Sequence, residues 1–363
     1  MADLCKTRVH FHPFHQQSSP AELEPQEGNM TWTTKIGRSV ALLAASGSLL
    51  LAGPTMLKFS HTDQQAGTRH AAAMLFAEKV KAYTSDRYEV RVYPAGQLGN
   101  DPKNIEQLQL GGIDFTVSST GSYAPHIDSL NLTMLPFLVD SYEQGWKLYD
   151  SSKWLKAQFD KAPAKGFRFL ATWEAGFRCM TTKEPLNTPA DAKGKKLRTF
   201  PNEMMRWNLE AIGFAVQIMP LPEVYLAIQQ GTVAGQENPV DTIYSNKFYE
   251  VAPYVTLTRH VYSPIPLAVS EQTWQKFSDA DKQAVLKAAQ EAADFSRKEI
   301  KAVEEKQLAE MTAKGAKVMK PNVAAFRAAV KPVTDQASGK YGAAEVTAFL
   351  KDAEEVRKAL PVK

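Results

Sequence analysis

The sequence predicts an α/β protein of two lobes with one long helix lying across both. Three observations carry this expectation. Strand-like and helix-like segments alternate from Leu57 to Val117. A second alternation runs from Phe177 to Ile228. The stretch from Ser278 to Lys314 then continues at near-helical spacing with neither Pro nor Gly. A chain of 363 residues suits two domains at roughly 100–200 residues each.

The first alternation opens with Leu57–His61 as a strand, followed by a helix that places Ala72, Leu75, Phe76, Val80 and Tyr83 three and four residues apart. Tyr88–Tyr93 alternates strictly and reads as a strand, ended by Pro94-Ala95-Gly96. Asp101-Pro102 reads as a helix start, with Asp101 as N-cap and Pro at the first position, and Gly111-Gly112 as its end. Ile113–Val117 is a third strand. Strands alternating with helices build a parallel sheet, whose ligands lie beyond the carboxyl ends of the strands. His61 and Ser118 occupy such ends. Ser141 caps a helix carrying Trp146 and Tyr149, and Phe167–Trp173 is a strand followed by Glu174.

In the second alternation, Phe177–Thr182 and Lys195–Phe200 are strands, and Asn202 caps a helix closed by Gly213. Val216–Met219 is a strand, a short helix follows from Val224, and Gly235–Pro239 reads as a loop. Tyr262–Ser270 is a strand that leads the chain back to the first sheet. The stretch after it is long enough for a helix of about 50 Å, more than one small domain is wide. The expected division is lobe I at 54–175 plus 264–303 and lobe II at 176–263 plus 304–363.

The beginning of the chain reads as an address. Lys35 and Arg38 precede an apolar run from Val40 to Ala52, of signal-peptide length and too short to span a bilayer comfortably. We expect a leader over 30–53 and cleavage near Ala52–Thr55, with Met30 as the true start and 1–29 as a mis-called or disordered extension. About 310 residues remain, with Cys179 as their only cysteine, so an ordinary core must hold them.

Composition excludes several functions. A net charge of +4 without a basic stripe gives no electrostatic footprint for nucleic acid. No phosphate loop, zinc-spaced Cys/His set or nucleophile elbow is present, so neither an enzyme nor a metal or other cofactor is expected. The arginines are more informative. Arg178 and Arg198 stand in strand-like segments, where a guanidinium needs a partner or an aqueous cleft. The residues alone leave open an internal salt bridge or a fork that grips a ligand carboxylate.

At these residues the chain resembles a known family, the DctP-like solute-binding subunits of TRAP (tripartite ATP-independent periplasmic) transporters. The resemblance covers about 57–350. It rests on three ordered blocks: Tyr93–Gly99 with Gln107–Asp114, Gly194–Arg198, and Glu223–Pro239. It implies a two-lobed, periplasmic-binding-protein-like fold with a ligand cleft between the lobes. It also implies that Arg198 grips a ligand carboxylate, Arg178 assists, and Asn238 contacts the ligand. Pro222 and Ala234 depart from residues common in the family, a serine and an aspartate. The identity of the ligand therefore cannot be carried over.

The resemblance further implies a periplasmic protein that captures a small carboxylate by closing around it and delivers it to TRAP membrane subunits. A monomer is expected. Trp173, His61, Asn202, Glu174 and Asn238, with Ser118 nearby, offer an aromatic wall and many polar groups. That mixture favours a sugar acid such as a uronate or aldonate. A C4-dicarboxylate, a 2-oxo acid, an aromatic acid and a sensory role are the alternatives.

Overall fold

The computed structural model describes residues 53–362. The expected extension at 1–29 and all but the end of the expected leader lie outside the described residues. Nine strands form one continuous sheet: β1 (Thr55–Ser60), β2 (Tyr88–Tyr93), β3 (Phe115–Val117), β4 (Phe167–Thr182), β5 (Lys196–Thr199), β6 (Ala215–Ile218), β7 (Gly235–Pro239), β8 (Tyr254–Ser270) and β9 (Lys317–Met319). The spatial order is β2-β1-β3-β8-β4-β7-β5-β6, with β9 beside β8.

The two ends of this sheet are parallel, β1 with β2 and β3, and β5 with β6 and β7. They are joined by the long antiparallel pair β4–β8, whose strands run 16 and 17 residues. The sequence reading split β4 into two strands at Glu174–Gly176. The backbone stays extended there but loses register with β8 between Glu174 and Phe177, and Gly176 takes φ +105°. A local irregularity bends a strand without ending it. Gly235–Pro239, read as a loop because of its Gly, Asn and Pro, is strand β7. Its Gly235 lies so close to β4 that a Cβ would fall 2.0 Å from the Thr181 carbonyl oxygen.

The helices are α1 (Thr68–Tyr83), α2 (Asp101–Leu110), α3 (Tyr142–Ser151), α4 (Lys153–Phe159), α5 (Glu203–Ile212), α6 (Val224–Gln229), α7 (Val240–Ser245), α8 (Phe248–Val251), α9 (Glu271–Lys276), α10 (Asp279–Ala313), α11 (Val323–Ala329), α12 (Lys331–Tyr341) and α13 (Ala343–Ala359). None among the described residues is long and apolar enough to cross a membrane. The 35-residue α10 starts at Ser278, whose Oγ accepts the Asp281 amide at 3.1 Å.

Small residues let α10 lie flat on three separate cores. Val285, Ala288, Ala289 and Ala292 pack with Phe59, Phe76, Phe115 and Trp173. Ile300 joins a core containing Phe177, Leu197, Met204 and Phe349. Met311 joins a third with Val224, Ile243 and Val255. The second of these cores also takes Leu132, Met134, Leu138, Leu148 and Leu155, which the sequence reading placed in lobe I. These side chains bury their apolar surface against α5 and α13, so this core takes residues from both expected lobes.

Candidate functional site

The carboxyl ends of the parallel strands from both halves face a common cleft. Thr62, Arg69, Asp101, Ser119 and Ser122 line one wall, and Arg178, Arg198, Phe200, Leu221 and Asn238 line the other. The cavity between the two walls is small, about 30 Å³. The walls are therefore close together, and anything much larger than water requires them to part.

Arg198 is the third residue of β5, between β6 and β7, and is 1% exposed. Its Nε and Nη2 donate to the Met219 carbonyl oxygen at 2.9 and 2.7 Å. No carboxylate among the described residues lies within salt-bridge distance of it, and its Nη1 donates to no protein group there. Burial pushes its pKa down to about 10, which still leaves a cation at neutral pH. A buried cation with one free donor edge is held in a costly state that an anion in the cleft would relieve.

Arg178 differs. Its Nε and Nη2 form a fork with the Glu237 carboxylate, Nη1 donates to Ser263 Oγ at 3.2 Å, and Nη2 also reaches Asn238 Oδ1 at 3.1 Å. Burial alone would raise the Glu237 pKa, but the Arg178 charge and its hydrogen bonds hold it at about 2. Thr199 Oγ1 donates to the same carboxylate at 2.6 Å. The expected second clamp is thus internally neutralised, and its guanidinium instead lies over the Phe200 ring at 5.1 Å. Asn238 lines the cleft, while its amide is engaged by Arg178 and Gln236.

Asp101 brings a carboxylate to the opposite wall. The sequence reading made it the N-cap of α2, but that role belongs to Asn100, whose Oδ1 accepts the Lys103 amide at 3.0 Å. The shift by one residue frees Asp101 to accept from Ser118 Oγ at 2.7 Å and Thr62 Oγ1 at 3.0 Å. Ser118 itself is not on the cavity wall and acts on it through Asp101.

Four other expected contacts stand behind the cleft. Trp173 is a core residue, not an aromatic wall: it packs on Phe59 and donates its indole N–H to the Ala289 carbonyl at 3.3 Å. Glu174 is buried at the β4 irregularity, where it accepts from Trp146 Nε1 at 2.7 Å, Tyr262 Oη at 2.6 Å and the Gly176 amide at 2.7 Å. His61 lies behind the wall with Nε2 3.1 Å from His70 Nδ1. Burial foremost, then Arg69 and His70, keeps its pKa well below the ordinary value, so it is neutral. Asn202 caps α5 and spends its amide on the Gly121 carbonyl and Asn131 Oδ1, at 3.0 and 2.8 Å.

Arg69, Asp101 and Phe200 were missed as cleft residues. Phe200 directly follows the Leu197-Arg198-Thr199 strand, so its place at the strand end was available as a signal. Arg69 had none, because it stands on the first turn of a helix whose orientation the sequence does not give.

Replacing Glu237 by Gln leaves Arg178 buried without a counter-charge. The expected loss is about 3–5 kcal/mol at pH 7, read by urea unfolding. The folded-state pKa of Glu237 lies below the unfolded value of about 4.3, so its stabilisation is full above that value and fades as pH falls towards 2. The wild type and the variant should therefore converge on acidification, and equal stability at pH 7 would contradict the pairing.

The comparisons agree with this architecture. The family model for bacterial extracellular solute-binding protein, family 7, matches residues 59–340. The sialic acid-binding periplasmic protein SiaP of Vibrio cholerae is 30% identical over 305 residues, 84% of this chain and 95% of that protein. A TRAP periplasmic solute binding protein from Polaromonas sp. JS666, bound to D-erythronate, matches at TM-score 0.78 and 34% identity, covering 82% of this chain and 98% of that one. The sugar acid binding protein DctPAm from Advenella mimigardefordensis, in complex with galactonate, matches at TM-score 0.81 and 30% identity, covering 84% and 99%. The chain belongs to the bacterial extracellular solute-binding proteins of family 7, substrate-binding subunits of TRAP transporters and not enzymes.

Proposed function

We propose that the cleft captures a hydroxylated monocarboxylic acid, an aldonate or uronate, with its carboxylate on Arg198. The unpaired Arg198 guanidinium is the observation that carries this reading. The opposite wall supports the hydroxylated class. Asp101 offers carboxylate oxygens as acceptors for hydroxyls, and it repels a second ligand carboxylate placed beside it. Phe200 supplies an apolar face against which a carbon chain or sugar ring can lie. An unsubstituted C4-dicarboxylate such as succinate lacks hydroxyl donors for Asp101, and every C4-dicarboxylate brings the repelled charge. The relatives that hold D-erythronate and galactonate are of the same hydroxy-acid class.

Capture works by parting and closing the two walls, with β4, β8 and α10 as the continuous connections between halves. Closure strips water from the Arg198–carboxylate bond and strengthens it. The ligand favours the closed form only by its extra affinity for that form. The closed protein then delivers its ligand to TRAP membrane subunits as a monomer.

Calorimetry with galactonate, D-erythronate, galacturonate and succinate tests the site. The wild type should bind one or more of the three sugar acids more tightly than succinate. Arg198→Ala should lose at least about 100-fold, the scale set by truncating one partner of a buried charge pair. Asp101→Asn should narrow the gap between sugar acid and succinate. Unchanged binding by Arg198→Ala would remove the clamp.

We further propose that 30–53 is an export leader and that the mature protein works in the periplasm, as members of this family do. N-terminal sequencing of the exported protein should find a start near Ala52–Thr55. A mature N-terminus before Met30 would contradict this.

A further inference from the structure

Helix α1 begins without a cap of its own. Its N-cap residue is Gly67, which has no side chain to accept the first amides. The cap comes from the other half of the chain. Asp241, the second residue of α7, accepts the Thr68 amide at 3.0 Å and Thr68 Oγ1 at 3.2 Å. Its Oδ1 is further held by Gln307 Nε2 on α10 at 2.6 Å.

The reverse contact lies beside it. Asp63, in the loop between β1 and α1, accepts from Ser245 Oγ at 3.0 Å, Asn246 Nδ2 at 2.7 Å and Thr242 Oγ1 at 3.2 Å, all in α7 or just after it. Each half thus places a buried carboxylate on the polar groups of the other. The approach is tight: a Cβ on Gly67 would lie 3.2 Å from Ser245 Oγ and 3.3 Å from Asp241 Oδ2. Neither carboxylate lines the cleft, yet both adjoin residues that do. Asp63 follows Thr62 and lies 3.7 Å from Arg69 Nε, and Asp241 follows Asn238 by three residues.

We propose that Asp63 and Asp241 form a reciprocal carboxylate latch that holds the two walls closed over the ligand from outside the ligand site. This rests on the capture mechanism above. The two acids act as positioning residues: their bonds exist only when α1 meets α7, so they stabilise the closed form relative to the open one. Burying two carboxylates side by side is unfavourable unless both are fully engaged, and burial with the Asp63 charge pushes the Asp241 pKa up to about 6. The donors set around them meet that requirement. Arg69, on the cleft wall and beside Asp63, links an occupied cleft to the latch.

The test compares wild type, Asp63→Ala, Asp241→Ala and the double variant as full-length proteins with galactonate as probe. Calorimetry gives affinity, stopped-flow fluorescence gives rates, and thermal unfolding reports the fold. Each single variant should lose at least about tenfold in affinity through faster dissociation, with association little changed. The double variant should lose little more than either single, because a latch opens as a unit. Wild-type affinity in the singles, or fully additive losses in the double, would overturn the latch. If Asp63→Ala does not fold, Thr242→Val removes one donor at similar volume and should raise dissociation by a smaller factor, and an unchanged rate overturns the latch.

If the wild type binds none of the acids tested, the capture reading fails by itself. Hydrogen exchange without ligand then decides the latch. Asp63→Ala should speed exchange at the Thr68 amide, which Asp63 does not touch, and unchanged exchange there overturns the proposal.

Discussion

A buried guanidinium with no carboxylate in salt-bridge distance is unfavourable on its own, and the architecture around Arg198 holds one in that condition, eased only by the more distant charges of Glu237, Asp101 and Glu223. Its neighbour shows how the same fold disposes of such a charge when none is wanted. Arg178 has Glu237 as a fork-shaped partner, with Thr199 and Ser263 completing the network. Of the two arginines on that wall, only Arg198 is thereby left without a close carboxylate, while Arg69 on the facing wall lies 3.7 Å from Asp63. Asp101 places a carboxylate on that facing wall as well.

The rest of the molecule lets two walls approach and separate around Arg198. Parallel strand ends supply loops that face one another, and among the described elements β4, β8 and the long α10 run without interruption between the halves. β4 carries its irregularity where Glu174 ties α3, β8 and the strand's own backbone together. Alanines on α10 permit close packing on the first core without bulky side chains to lock it. Asp63, Asp241 and Asn202 make polar contacts between segments of the two walls without lining the cavity themselves.

Periodicity made the outline legible. β2, the capped helix at Asn202 and the whole of α10 were placed within a residue or two, because alternation, caps and the absence of Pro and Gly are local signals. β7 was not, since its Gly and Pro reflect a close backbone approach and a strand end that depend on tertiary neighbours. Site residues divided along the same line. Arg198 and Asn238 lie in the blocks that carry the family resemblance, Arg178 stands in the strand before the second block, and all three line the cleft. Trp173 and Glu174 were chosen for chemistry that suits a sugar. Strand alternation and the β4 irregularity turn them instead into a core and a bend, which composition cannot reveal. Asp101 was hidden by a one-residue error in a helix cap.

The most direct measurement of the central claim is a crystal structure of the protein grown with galactonate or whichever hydroxy acid it binds best. The ligand carboxylate should accept from Arg198 Nη1, with a hydroxyl donating to Asp101. A carboxylate seated on Arg178 or elsewhere, with the Arg198 edge still free of any anion, would contradict it.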